Sequence, residues 1–467
     1  MALLMPFRDS IGTPLQEGCT KVLLLGAGEL GKEIAIEAQR LGVETVTVDR
    51  YDNPPAAQVA HRHYTMDMRD GAALRAVVRR ERPDAIIPEV EAINTDALLE
   101  LEEEGFFVVP KARATKITMD RILLRRLAAE EARVPTAPYR FAGDLEELKA
   151  ACEEVGFPCI VKARMSSGGL GSSVVFGRDQ IPSAYETAKR RARGFGEEVV
   201  VEGLCRFDFE ITELALAHYD PNGKVRISFP KPVGHLRSGS HYHVSWQPFL
   251  LVDEETGMGR SPLQAFGGEL HRSEDATTSE LLWRSDHDGE TLTAETIREI
   301  EGQCYEIAGK VVRGLIGSGG AVEGLGIFGC ELFVKVDEGG KPKVYFNEIS
   351  PRPHDTGMVT MATQDLSEAA LHARAVLGLP IAGMKVLTPG AAHVILSGED
   401  SRWAPRYGNL SKALGIPGVR VLLFGKPSTY KERRLGLALA TSDDIPEARR
   451  RAMEAAHLVE EGVSYGR

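Results

Sequence analysis

The chain has 467 residues, 43% hydrophobic and 26% charged, the make-up of a globular protein with room for two to four domains of about 150 residues, and not of a disordered or collagen-like chain. Lys and Arg number 56 against 67 Asp and Glu, a net charge of −11, so bulk charge does not hold nucleic acid or an anionic membrane and any anionic ligand needs local groups. Six scattered cysteines form no Cys-x-x-Cys pair or Cys/His cluster, and no uncharged apolar run reaches about 18 residues, so a cytoplasmic protein with reduced thiols and no membrane span is expected.

Lys21 to Leu25 (KVLLL) is a short apolar run, followed by Gly26-Ala27-Gly28-Glu29-Leu30-Gly31 and a helical pattern through Arg40. Further strands are expected at Glu44 to Val48, ending at Asp49, and at Ala85 to Pro88, running into Glu89-Val90-Glu91, with a helix from Gly71 to Arg82 between them. This alternation predicts a doubly wound parallel sheet over residues 1–118. A helix is predicted from Thr118 to Arg133, closed off by Pro135 and Pro138. The second domain, 119–387, contains the strand Cys159 to Lys162, the glycine-rich loop Ser166 to Ser172 and the strand Glu198 to Glu202. A hairpin of Gly329 to Val336 and Lys343 to Ile349 follows, and a helix from Leu366 to Leu377 ends the domain. Residues 388–467 predict a small β-rich domain with strands at Val419 to Phe424 and Arg434 to Thr441 and a helix from Ile445 to Glu461. The stretch 251–300 carries twelve acids and four bases with weak periodicity, and is expected to be an acidic surface excursion.

Folding the hairpin symmetrically about Gly339-Gly340 sets Glu331 opposite Glu348 on one face. Two facing carboxylates repel unless a cation lies between them, and oxygen ligands of this kind suit Mg²⁺, with Asn347 beside them. A one-residue slip would instead leave an exposed acidic rim. The loop Ser166 to Ser172 offers unobstructed backbone N–H groups of the kind that cover phosphates, although such loops are also plain turns. Lys162 at the end of the preceding strand needs an anionic partner, and Glu202-Gly203 ends a later strand. Gly26-x-Gly28-x-x-Gly31 with Asp49 imitates a dinucleotide fingerprint and keeps an NAD-dependent dehydrogenase in view. Glu29 at the helix N-terminus opposes a pyrophosphate there and suits an amine or hydroxyl. Lys426, Arg433 and Arg434 flank a turn and would hold one phosphate.

GAGELGKEIAIEAQRLGVE, PEVEAINTD, RATKITMDR, Phe207-Asp208-Phe209-Glu210-Ile211-Thr212, SPRPHDTGMVT with QDLSE, and LFGKP followed by RRLGLALAT run in this order along nearly the whole chain. Together they resemble the ATP-grasp superfamily, and within it the formate-dependent phosphoribosylglycinamide formyltransferases. The resemblance implies a mixed α/β and α+β architecture: an ATP-grasp fold with an N-terminal doubly wound domain and a small C-terminal β-rich domain. It implies that ATP is bound by Arg121, Lys162, the loop Ser167, Gly168, Gly169, Leu170, Gly171 and Ser172, the run Glu202, Gly203, Leu204 and Cys205 at the adenine, and Glu210 at the ribose. Glu331 and Glu348 would ligate Mg²⁺. Glu29, Leu30, Glu89 and Asp355 would surround the glycinamide and ribose of phosphoribosylglycinamide, and Lys426, Arg433 and Arg434 would take its phosphate. Relatives of this kind are commonly homodimers.

The activity so implied is ATP-dependent formyl transfer from formate through formyl phosphate, with Lys162, Mg²⁺ and Arg352 offsetting charge on the phosphoryl oxygens and Asp355 beside the amine. Arg352 is placed there because it follows the hairpin directly. Three features depart from the family pattern. Leu170 stands where a lysine is usual, Gly234 to His243 replaces a more acidic stretch, and the acidic segment 251–300 is longer than usual. They leave open a paralogous ligase that joins another small carboxylate to a phosphorylated amine, and a non-catalytic binder.

Overall fold

The computed structural model describes residues 4–165, 171–191, 198–238, 241–252, 259–260, 292–318 and 321–466. A four-stranded parallel sheet opens the chain, in the order Arg62–Thr65, Glu44–Asp49, Lys21–Leu25, Ala85–Pro88. All six residues of Glu44–Asp49 and four of five in Lys21–Leu25 are buried, as strands covered on both faces require. The edge strand Arg62–Thr65 (RHYT) escapes the apolar pattern because its side chains serve buried acids: Arg62 pairs with Glu44 and Glu81, and the Tyr64 hydroxyl donates to Glu81.

Where one helix was expected from Thr118 to Arg133 there are Ala112–Met119 and Arg121–Arg126, then a wider turn over Leu127–Glu131. The break falls at Asp120, whose carboxylate accepts from the N–H groups of Ile122 and Leu123 and so starts a new helix. A second sheet, all antiparallel, runs Tyr139–Ala142, Val199–Gly203, Cys159–Ala163, Ser172–Val175.

The large antiparallel sheet runs Pro342–Ser350, Gly326–Val336, Phe209–Tyr219, Val233–Ser238, His241–Gln247, Gly390–Leu396, Arg434–Thr441, Val419–Leu423, with Val225–Ser228 beside Phe209–Tyr219. Its last three strands come from beyond residue 388 and join through Val244 to Gln247 against Gly390 to His393, so the sheet is continuous from hairpin to C-terminal strands. The helix Ala294–Ile316 packs on it with Ile297, Ile300, Cys304, Ile307, Val311 and Leu315 in the main core. Ile297 and Ile300 therefore belong to the core, against the expected surface excursion over 251–300. The helical spacing was masked by Glu295 and Glu299 on the outer face. Most of that acidic segment, 253–258 and 261–291, lies outside the described residues. No helix among the described residues is long and apolar enough to cross a membrane.

The hairpin pairs Glu331 with Glu348, by a route symmetry does not give. Near the turn Val336 faces Pro342 and Leu332 faces Phe346, one residue short of symmetry about Gly339-Gly340. The turn closes over Asp337 to Lys341, with the Asp337 carboxylate accepting from Gly339 and Lys341 and Gly340 at φ 78°. A bulge at Asn347 then inserts one residue and restores the 331/348 pair.

Candidate active site

At the first strand's end Gly26 has φ 119°, and a Cβ there would lie 2.7 Å from Val90 and collide with Glu89, so this glycine lets the Glu89 carboxyl in against the turn. Glu89 is 5% exposed and its Oε2 has no hydrogen-bond partner. Burial pushes its carboxyl up to about 8, Arg352 pulling it back and Glu29, Glu91 and Asp49 adding to the rise. Glu29, first residue of the helix Glu29–Arg40, pairs with Lys426 and, at 3.1 Å, with Arg434. These two cations overcome the burial penalty and hold Glu29 down at about 2. Arg434 also pairs with Asp355. Two expected phosphate ligands thus lie on the acids expected at the amine, while Arg433 donates to the carbonyl and hydroxyl of Ser428, 2.7 and 3.1 Å away. Lys426 also lines a cavity of about 500 Å³ with Asn53, Gln58, Trp403, Tyr407 and Pro427.

Arg352 turns away from the hairpin acids it follows, pairing with Glu91 and acting on Glu89. Leu30 packs beside Met358, Phe424 and Leu437.

Glu89 offers a stability test. In the unfolded chain a glutamate ionises near 4.5, whereas the buried Glu89 keeps its proton to about 8, so its contribution is full below pH 4.5 and is lost as pH rises to about 8. Glu89→Gln is expected to melt with the wild type at pH 4 and above it at pH 8.5; thermal melts at the two pH values check this, and equal melting at both contradicts it.

On the hairpin, Glu331 is 8% exposed and Glu348 is exposed. Glu331 accepts from His354 Nε2 at 2.9 Å, from Asn347 Nδ2 at 3.2 Å, and from Arg237. Burial pushes Glu331 up, but Arg237 and His354 hold it well below the ordinary carboxylate range. Arg237 reaches a second acid, Glu210, at 3.0 Å, and His235 lies 3.3 Å from the same oxygen of Glu210.

In the antiparallel lobe Lys162 finds the anion its position demands in Glu202, 2.6 Å away. Arg125, from the helix Arg121–Arg126, holds the other Glu202 oxygen at 2.5 Å. Against burial, the two cations hold Glu202 down at about 2. Arg121 caps the neighbouring strand, donating to the Ala163 carbonyl at 2.8 Å. Gly203 pairs with Cys159, the Leu204 N–H reaches Pro158, and burial pushes the Cys205 thiol up to about 11. Gly171 sits at φ 76° and Ser172 opens a strand; Ser167, Gly168, Gly169 and Leu170 lie outside the described residues.

These groups join into one chain of polar contacts. Lys162 and Arg125 meet on Glu202; Arg125 donates to the Asn347 carbonyl at 3.2 Å; Asn347 and His354 meet on Glu331; His354 Nδ1 is 3.2 Å from Asp355; and Asp355, Arg434, Glu29 and Lys426 complete it. Arg125, His354 and Arg237 were not singled out as site residues from sequence. His354 stands inside the SPRPHDTG run and Arg237 inside the stretch flagged as unusual, but Arg125 carries no local signal.

Glu331 and Glu348 are partners across the hairpin, and Asn347 beside Glu348 donates to Glu331. Carboxylate oxygens of this kind suit Mg²⁺, and Arg237 and His354 hold Glu331 ionised, although no group of three or more His, Cys, Asp or Glu side chains gathers as a metal site among the described residues.

Three family models match the chain: a ribonucleotide synthetase preATP-grasp domain over 19–119, an ATP-grasp domain over 127–257 and 286–369, and "PurT, C-terminal" over 390–459. A formate-dependent phosphoribosylglycinamide formyltransferase from Thermococcus kodakarensis is 48% identical over 463 residues, covering 97% of this chain and 94% of that protein. One from Methanocaldococcus jannaschii is 46% identical over 450 residues, covering 96% and 99%. The solved structure of a glycinamide-RNase-transformylase T from Mycobacterium tuberculosis is 31% identical with a TM-score of 0.67, covering 94% of this chain and 99% of that one. A carboxyaminoimidazole ribonucleotide synthase from Aspergillus clavatus, complexed with ATP, shares the fold at a TM-score of 0.72 and 22% identity over 95% and 99% of the two chains. On matches of this extent the chain belongs to the formate-dependent phosphoribosylglycinamide formyltransferases, a family built on the ATP-grasp fold.

Proposed function

We propose that the protein uses ATP to transfer a formyl group from formate to the amine of 5′-phosphoribosylglycinamide, giving formylglycinamide ribonucleotide, ADP and phosphate. The observation that supports this is the chain of polar contacts that joins Lys162, Glu331, and the acids Asp355 and Glu29 with Lys426.

A formate oxygen attacks the γ-phosphorus, forming formyl phosphate and releasing ADP; the amine then attacks the formyl carbon, loses a proton, and phosphate leaves. Lys162, Arg121, the loop 167–172 and Glu202 to Cys205 hold ATP, with Glu210 at its ribose. Glu331 and Glu348 would hold Mg²⁺, which when bound would offset phosphate charge. Lys162 gives up Glu202 for the phosphate chain, and Arg352 gives up Glu91 for the transferring phosphoryl group. Glu29 and Asp355 orient the amine, and Asp355, ionised and beside His354, accepts its proton. The Glu89 carboxyl, which burial pushes up to about 8, would face the ribose. Lys426, Arg433 and Arg434 take the substrate phosphate, releasing Glu29 and Asp355 for the amine. Closure of the antiparallel lobe keeps water from the acyl phosphate.

With ¹⁸O-formate, one labelled oxygen is expected in the phosphate released, read by mass spectrometry; unlabelled phosphate contradicts the acyl phosphate route. We also assign the protein to the cytoplasm, where its free cysteines stay reduced, and propose that it is a homodimer, which sedimentation checks.

A further inference from the structure

One guanidinium, Arg237, holds both Glu210 and Glu331. Its position has a local cause. Val233–Ser238 and His241–Gln247 pair regularly up to Leu236 opposite Val244, and a bulge then brings Arg237 opposite Tyr242, which re-aims the side chain across the sheet toward the acids. The two strands carrying those acids are themselves neighbours, with Glu331 opposite Thr212 and Glu210 opposite Phe333, so the two carboxylates lie close enough for one fork to span them. The exposed Glu348 adds its charge to the same guanidinium.

We propose that Arg237 is a tethered counter-ion that stands in for the divalent cation on Glu331 until Mg-ATP arrives. This rests on the assignment of Glu331 to the metal and Glu210 to the ribose made above. A metal ion alone would have to displace Arg237 from Glu331 while leaving the guanidinium tied to Glu210, an exchange of one cation for another with little gain. Mg-ATP takes both acids at once, Glu331 through the metal and Glu210 through the ribose, so it releases both ends of the fork together. The metal site is thereby formed with the nucleotide and stays closed to free divalent ions. His354 and Asn347 remain on Glu331 in either state and keep the carboxylate aimed.

The test is the thermal melting of the full chain without nucleotide, in chelator, in Mg²⁺, and in KCl of matched ionic strength. The wild type is expected to melt within about 1 °C in all three. Arg237→Gln removes the one charge that spans Glu210 and Glu331 and leaves only His235, His354 and Asn347 against them, so it is expected to melt several degrees lower in chelator and KCl and to recover most of the loss in Mg²⁺. Arg237→Lys keeps the charge without the fork and is expected to show a smaller recovery, which preserves the test if the Gln variant does not fold. A merely structural arginine would give a destabilised variant indifferent to Mg²⁺, and that result overturns the proposal; so does a wild type already stabilised by Mg²⁺ alone. Adding Glu331→Gln separates the two layers. If it removes the Mg²⁺ recovery, Glu331 is the metal's ligand and Arg237 its stand-in. If the recovery persists, the metal binds elsewhere and the assignment of Glu331 falls. If Glu331→Gln abolishes Mg-ATP stabilisation while Arg237→Gln shows no recovery, the assignment of Glu331 stands and the Arg237 proposal falls.

Discussion

Replacing Glu331 by Gln is expected to lower turnover about 10²–10³-fold, with a much smaller loss of ATP affinity. The asymmetry follows from where charge develops. In the proposed mechanism Lys162 and the strand end Glu202 to Cys205 would bind the nucleotide whether or not Glu331 is charged, whereas Glu331 would hold the cation that offsets charge on the phosphoryl group as it moves. The substitution keeps the shape of the hairpin and the Asn347 contact but removes the charge that Arg237 and His354 face. Steady-state kinetics with ATP varied, beside a nucleotide-dependent thermal shift, separates the effects. Turnover within about 3-fold of wild type would remove Glu331 from the reaction.

The largest loss of stability is expected from Arg125→Met. Arg125 and Glu202 side chains are each 6% exposed, and removing one member of a buried pair leaves the other charge uncompensated, at a cost of about 3–5 kcal/mol. Lys162 remains on Glu202, so the loss falls at the lower end unless Lys162 is also removed. Because the folded Glu202 is held down at about 2, the pair's contribution is complete above about pH 4.5 and is lost as pH falls toward 2. The gap between wild type and variant should therefore be widest at neutral pH and close on acidification. Thermal melts at pH 7 and pH 3 measure it; a gap unchanged by pH would mean that Arg125 acts through packing, for instance on the Phe346 ring 5.8 Å away.

What was legible in the sequence was whatever is local or periodic. Lys21–Leu25, Gly71–Glu81, Arg434–Thr441 and Ile445–Glu461 fall where apolar spacing and turn residues put them. The Glu331/Glu348 pairing also came out, but only because the bulge at Asn347 cancels a one-residue shift at the turn, two departures that symmetry cannot see. Arg62–Thr65 was lost because its stabilisation is electrostatic, from Glu44 and Glu81, and carries no alternation. Ala294–Ile316 was lost because acidic outer positions hid a core-facing stripe. Within the site, the acids and the last basic cluster were legible as residue types, but their pairing was not. Arg125 meets a glutamate 77 positions away, and Arg434 meets Asp355 79 positions away, distances over which sequence carries no register. Arg237 was visible only as membership of an unusual stretch, and the bulge that gives it two carboxylates is a property of the paired strands.

ATP consumption is expected to depend on a small acid and a phosphorylated amine together. ADP release, measured with formate and phosphoribosylglycinamide varied independently, decides it. Release that requires both, in proportion to formylglycinamide ribonucleotide formed, is the result expected. Release that is unaffected by withholding either one would overturn the proposed reaction.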